Sequence, residues 1–212
     1  MGGEITQRGI AQAYVLAGGG STRFGRDKAL VEIDGVPMLL RMRALLGEVS
    51  QAVTVIAPPL RYAALGVTAV SDRWEGQGPL AGIITALLST NESGSGAEWN
   101  LIVGCDMPFL TREWLSYLAE RALLSGAEVV TPRSAQGLEP LCACWRSNAA
   151  EKLQKVFDTG VRKITQAMQS LEMEVVDEAD WKRFDSAGRL FWNMNTVADF
   201  DEAKRILEAQ RA

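Results

Sequence analysis

Residues 15–28, VLAGGGSTRFGRDK, place three consecutive glycines after an apolar run, followed closely by Arg23, Arg26 and Lys28. Glycines let backbone amides converge on one point, and clustered cations neutralise whatever binds there, a combination suited to phosphate oxygens. A turn carrying solvated charge is the competing reading of the same stretch. The familiar phosphate loops fit only in part. In the dinucleotide spacing G-x-G-x-x-G, Gly18 and Gly20 match but Arg23 takes the third glycine's place. In G-x(4)-G-K-[ST], Gly20 and Gly25 match but Arg26 replaces the lysine.

Two aspartates end apolar runs: Asp72 closes GVTAVSD and Asp106 closes NLIVGCD. A carboxylate at a strand end either caps a turn or holds a cation. Magnesium uses few protein carboxylates and completes its shell with substrate phosphates and water, so one aspartate opposite a polyphosphate loop suffices. In DRWEGQGPLAG (72–82), Gly78 precedes a helix-starting Pro79. It either lets the backbone approach a planar base or ribose, or serves only as the turn into the helix.

The chain contains no histidine. That excludes Ser-His-Asp and Cys-His mechanisms, histidine-ligated zinc and an imidazole base. Chemistry must rest on carboxylates, lysine, arginine, backbone amides or a bound cation. Cys105, Cys142 and Cys144 read as buried thiols, the latter two sharing one face of a strand. The formal charge of −4, from 22 basic and 26 acidic residues, argues against duplex nucleic acid. No apolar run is long enough to span a bilayer. MGGEITQRG lacks the apolar core of a signal peptide, so a cytoplasmic location is expected.

The elements that must position these residues follow from periodicity and punctuation. Short apolar runs predict strands at 13–17, 29–33, 51–57, 66–72, 100–106, 127–132, 138–145 and 172–178. Helical spacing predicts helices after Pro37, from Pro79, over 112–126, over 148–160 and over 161–171. Thr111 caps the third of these, and Thr196 with Asp199 forms a capping box for a last helix over 197–210. NESGSGAE (91–98) reads as a surface loop, and EVVDEAD (174–180) as a solvated edge or loop. The alternation predicts a single α/β domain over 1–212: a Rossmann-like, mostly parallel sheet with helices on both faces. In such sheets ligands bind beyond the carboxyl ends of the strands, where the glycine loop, Asp72 and Asp106 all fall.

Taken in order, LAGGGSTRFGRDKAL (16–30), IDGVPML (33–39), VSD (70–72), GPLAG (78–82), VGCDMPF (103–109), LEPLCACW (138–145) and NMNT (193–196) cover most of the chain. This series resembles the molybdenum cofactor guanylyltransferases, the molybdopterin-guanine dinucleotide biosynthesis protein A family. These are nucleotidyltransferases with a glycosyltransferase-A-like fold. The resemblance implies that Leu16, Ala17 and Gly18 contact the nucleotide, that Lys28 binds its phosphates, and that Arg23 and Gly25 belong to the same loop. It implies Asp72 on the base or ribose side, Asp106 as the magnesium ligand, and Asn193 and Asn195 near the pterin end. Gly19, where pyrimidine-using relatives carry alanine, leans toward GTP. One departure is IAPP (56–59), where relatives often carry asparagine; Ala57 leaves any base contact there to the backbone.

The implied reaction transfers GMP from Mg-GTP to the terminal phosphate of molybdopterin and releases pyrophosphate. The acceptor phosphate is already ionised, so no strong base is needed. Lys28, Arg23 and loop amides neutralise the leaving group, and magnesium on Asp106 bridges the α-phosphate and the attacking oxygen. Other partners are transient: cofactor-biosynthesis proteins or acceptor apoenzymes. The alternatives are a related CTP- or UTP-dependent transferase acting on molybdopterin or another small phosphate, and a nucleotide-binding regulator without turnover. The six tryptophans read as core or rim residues; Trp192 is the one to test against a planar pterin.

Overall fold

The computed structural model describes residues 10–18 and 27–209. Strand β1 (Ile10–Leu16) runs directly into the glycine segment. After residue 27 the chain forms a hairpin of β2 (Glu32–Ile33) and β3 (Val36–Pro37), then helix α1 (Met38–Gly47) and strand β4 (Ser50–Ile56). A short β5 (Ala69–Val70) precedes α2 (Pro79–Ser93), β6 (Trp99–Gly104) and α3 (Arg112–Leu124). Strands β7 (Val129–Ser134), β8 (Gly137–Leu138) and β9 (Cys142–Arg146) lead to α4 (Ala149–Asp158) and α5 (Ile164–Ala167). Edge strand β10 (Met173–Val176), α6 (Glu178–Trp181) and α7 (Val197–Ala209) complete the order.

The main sheet runs β10-β7-β9-β6-β1-β4-β5, with β8 paired to β7. β5, β4, β1 and β6 are parallel, as are β7 and β10, while β9 runs antiparallel between β6 and β7. The sheet is therefore mixed and mostly parallel. Alternation along each strand sends side chains to two separate cores. Ala13, Val15, Leu101, Val103, Cys142 and Cys144 meet α1 and α3 on one face. Tyr14, Ile56, Ile102, Ala143 and Trp145 meet α2 and α4 on the other. The two strand cysteines do share a face. A smaller cluster of Ile33, Met38, Phe109 and Met194 seats Ala203 of α7.

Local chemistry accounts for the helix ends. Gly78 precedes Pro79 at φ 91°, and Gly94 stops α2 in the left-handed region at φ 66°. The Thr111 hydroxyl accepts from the Trp114 amide at 3.2 Å. Thr196 and Asp199 exchange bonds as expected: the Thr196 amide donates to Asp199 at 2.8 Å, and the Asp199 amide to the Thr196 hydroxyl at 3.1 Å.

Several expectations are corrected. The strand expected at 29–33 shrinks to Glu32–Ile33, because the Asp27 carboxylate accepts from the Ala29 amide at 3.1 Å and winds 28–30 into a 3-10 turn. The strand at 66–72 is only Ala69–Val70, since just these two residues pair with β4. Residues 138–145 split into β8 and β9, because the Cys142 amide turns back onto the Glu139 carbonyl at 2.9 Å. The helix over 161–171 reduces to α5 and a 3-10 turn at Met168–Ser170. α2 runs past Ser89 to Ser93, taking up the start of the loop at 91–98. Within 174–180, β10 is indeed an edge strand, but Glu178–Trp181 is helical and buries Trp181. No helix among the described residues is long and apolar enough to cross a membrane.

Candidate active site

β1 and β6 are neighbours and parallel, so their carboxyl ends open side by side. A cleft of about 340 Å³ lies there, in the size range of small-ligand sites. Leu16, Ala17 and Gly18 from the end of β1, Lys28, Asp72, Gly78 and Asp106 all line it. Gly19, Arg23 and Gly25 lie outside the described residues.

Lys28 and Asp106 meet across the cleft. The Lys28 Nζ stands 3.4 Å from Asp106 Oδ2 and 2.9 Å from Asn195 Oδ1, with the lysine and aspartate side chains 18% and 23% exposed. Both charges are thus largely withdrawn from water yet reachable from the cleft, where a charged ligand is felt more strongly than on an open surface. The Met194 amide donates to the Asp106 carbonyl at 2.9 Å, which docks the 193–195 segment against this pair. Asn195 therefore joins the Lys28 cluster, whereas the Asn193 side chain donates to the Phe191 carbonyl at 3.2 Å. Asp199 receives the Asn195 amide at 2.8 Å. Partial burial pulls its carboxyl upward, but the Asn195 and Thr196 amides, the Thr196 hydroxyl and the Lys28 charge hold it below the ordinary value.

Gly104 makes room for the carboxylate. A Cβ at this position would sit 2.9 Å from Asp106 Oδ1, closer than real Cβ atoms stand. Cys105 also faces the cleft, and its amide donates to the Leu16 carbonyl at 3.3 Å. Burial, then the charges of Asp106 and Asp27, push its thiol up to about 12 against the opposing pull of Lys28. Such a thiol is protonated and unsuited to nucleophilic work.

On the opposite wall, Asp72 Oδ1 accepts from the Trp74 amide at 3.1 Å and the Thr85 hydroxyl at 2.9 Å. These bonds shape the loop that ends at Gly78 and Pro79, so the amino terminus of α2 borders the cleft with its partial positive charge. Gly82, one turn into α2, packs on β1, where a Cβ would meet the Leu16 side chain at 3.4 Å. The Ala57 amide, by contrast, donates to the Val70 carbonyl at 3.0 Å and is used up by the sheet.

Sequence reasoning missed the residues that hold Lys28 in place. Asp27, directly before it, accepts from Arg61 Nε at 2.8 Å and from the Tyr62 hydroxyl at 2.9 Å. Asp27 could have been suspected from its place beside Lys28. Arg61 and Tyr62 gave no local signal, because their partners are more than thirty positions away. Trp192 stacks on Phe109 with ring centroids 5.4 Å apart, so one of its faces is already covered.

The donor set can be tested against a divalent cation. Among the described residues, no three or more carboxylates or thiols cluster as a metal cage. Asp27 is consumed by Arg61, Tyr62 and its own turn, and Asp72 Oδ1 by Thr85 and Trp74. Asp106 remains the carboxylate facing Lys28 across the cleft. A single carboxylate beside a polyphosphate site fits magnesium, which draws most of its oxygens from phosphate and water.

Residues 13–173 match the model of the MobA-like NTP transferase domain. A relative from Pelotomaculum thermopropionicum, named as a probable molybdenum cofactor guanylyltransferase, is 30% identical over 95% of this chain and 95% of its own. The molybdopterin-guanine dinucleotide biosynthesis protein A of Archaeoglobus fulgidus superposes with a TM-score of 0.77, covering 93% of this chain and 99% of that one at 24% identity. The 2-C-methyl-D-erythritol 4-phosphate cytidylyltransferase of Thermus thermophilus has the same fold, with a TM-score of 0.67, 15% identity and coverage of 94% and 100%.

Proposed function

The chain belongs to the MobA-like NTP transferase family and is a nucleotidyltransferase, and from that premise we propose that it transfers GMP from GTP to molybdopterin. The products are a molybdopterin guanine dinucleotide and pyrophosphate. The observation that carries this reading is the approach of Lys28 to Asp106, 3.4 Å apart at the carboxyl ends of β1 and β6. The activity named for the Pelotomaculum relative supports guanine as the base and molybdopterin as the acceptor.

In this reading the β- and γ-phosphates of GTP lie beside Ala17 and Gly18 at the end of β1, against Lys28. Its ammonium, with the amino terminus of α2 close by, offsets charge that builds on the leaving pyrophosphate. Asp106 would hold magnesium, which supplies charge neutralisation at the α-phosphate when bound. Asn195 fixes the Lys28 ammonium, and Met194 fixes the Asp106 backbone, so both charges are placed before substrate arrives. Asp72 and Gly78 shape the wall on the base and ribose side. The acceptor phosphate is ionised near neutral pH and attacks phosphorus without a strong base, in keeping with a chain that has no histidine.

Calorimetric titration of GTP, CTP, UTP and ATP, with and without magnesium, tests the donor. The expected result is tightest binding of GTP, weakened by chelation and by Asp106→Ala. GMP transfer to molybdopterin with release of pyrophosphate should follow. Preference for a pyrimidine nucleotide would move the activity to a cytidylyl- or uridylyltransferase, and absence of nucleotide binding would sink the reading altogether.

A further inference from the structure

The segment 18–26 leaves β1 after Ala17 and rejoins the described chain at Asp27. Both flanking residues converge on one hydroxyl. Tyr62 Oη lies 3.1 Å from the Ala17 carbonyl and 3.1 and 2.9 Å from the two Asp27 carboxylate oxygens. A phenol has one proton to donate, so the three acceptors share it and are drawn to the same point. Burial, then the bond to Asp27 and its charge, hold the phenol far above its ordinary pKa, so it stays a donor. The Tyr62 ring is buried in the core with Ala17, Leu39 and Val55, which fixes where that point lies.

Arg61 completes the arrangement from the solvent side. Its Nε and Nη2 each reach Asp27 Oδ2 at 2.8 Å. The turn that delivers both residues is built by Pro58 and Pro59 after β4, closed by the Arg61 amide on the Pro58 carbonyl at 2.9 Å. Asp27 in turn caps the 3-10 turn that carries Lys28.

We propose that Tyr62 and Arg61 are positioning residues that staple the two ends of the glycine-rich segment together and so set the height of Lys28 against bound phosphate. The proposal rests on the reading of Lys28 as a phosphate ligand. Neither residue lines the cleft. Their effect passes through Asp27 to the lysine one position away, and it must vanish when that lysine is gone.

Binding of magnesium tripolyphosphate, which depends on neither base nor acceptor, tests this by calorimetry on the full chain. Tyr62→Phe keeps the ring and removes the hydroxyl. It should weaken binding about tenfold, the size of one lost hydrogen bond. In a Lys28→Met background the same change should cost nothing further. Arg61→Met should behave alike, with partial recovery in Arg61→Lys, and being at the surface it reports even if Tyr62→Phe unfolds. Lys28→Met weakening binding while both staple variants bind like wild type, or a staple effect of equal size in the Lys28→Met background, overturns the proposal alone. Wild type that fails to bind, or Lys28→Met that binds as wild type does, overturns the reading of Lys28 and the proposal with it.

Discussion

The two ends of β6 handle polar groups under opposite conditions. At the amino end Asn100 is fully buried, and the polar side chains around it bond one another in series. Tyr14 bonds Thr90 at 2.8 Å, Thr90 donates to Asn100 at 2.6 Å, Asn100 donates to Ser147 at 2.8 Å, and Ser147 donates to the Ala97 carbonyl at 2.5 Å. No charge enters this chain of bonds, and no solvent reaches it. Four residues on, Gly104 opens space for Asp106, and the strand's continuation presents a carboxylate to Lys28 across an open cleft. The first end satisfies its dipoles within the protein and spends them on rigidity. The second holds opposite charges at 3.4 Å in a setting that a phosphate or a cation can enter. A residue changed at one end should therefore alter stability, and at the other, turnover.

The largest expected effect breaks the cleft end. Asp106→Ala and Lys28→Ala should each lower kcat of nucleotidyl transfer roughly 10²–10³-fold, as for loss of one preorganised charge partner. Their melting temperatures should stay close to wild type. Near-normal turnover in either variant at saturating substrate would remove that residue from the chemistry. Next, Asn100→Leu should reduce unfolding free energy by roughly 3 kcal/mol, because the Thr90 and Ser147 hydroxyls lose their shared partner while buried. Denaturant titration measures this, and kcat for the folded fraction should not move. A large kcat loss there would erase the contrast between the two ends.

Gly104→Ala sharpens the boundary, since it lies at the end of β6 itself. Its Cβ would stand 2.9 Å from Asp106 Oδ1 and must displace the carboxylate. We expect kcat/KM to fall about tenfold, with the required magnesium concentration rising in parallel. The smallest effect concerns Cys105. With its thiol pushed up to about 12, the neutral form persists as pH rises. Iodoacetamide should leave it almost unreacted at pH 8, with labelling increasing only in strongly alkaline solution. Mass spectrometry would detect the opposite, and rapid labelling at pH 8 would mean that the cleft end is wetter and more positive than its neighbours imply.

The legible part of this molecule was the part with short-range causes. Thr111, the Thr196–Asp199 pair and the Gly78-Pro79 start each act within four residues, so their sequence pattern and their geometry coincide. Asp106 could be placed at a strand end because the apolar run LIVGC precedes it, and Asp72 because it closes the short β-branched stretch GVTAVS. What stayed hidden depends on distant partners. ALVEI alternates like a strand, yet the Asp27 cap winds its first residues into a turn. LEPLCACW has strand composition throughout, but its break follows from a backbone bond between Glu139 and Cys142 and from pairing with both β6 and β7. The contact of Asn195 with Lys28 spans most of the chain, and nothing in NMNT alone announces it.

The antiparallel placement of β9 has a consequence for how the chain must be made. β6 is apolar except for Asn100, is buried along its whole length, and is covered on one edge by β1 and on the other by β9. During synthesis β1 is already available when β6 emerges, but Cys142–Arg146 is not. Until β9 has been translated, after α3, β7 and β8, a half-built sheet exposes an apolar strand edge of the kind that pairs readily with other chains. Ribosome-stalled fragments ending before β9 should therefore be the species that recruit chaperones or aggregate, and extension through Arg146 should release them.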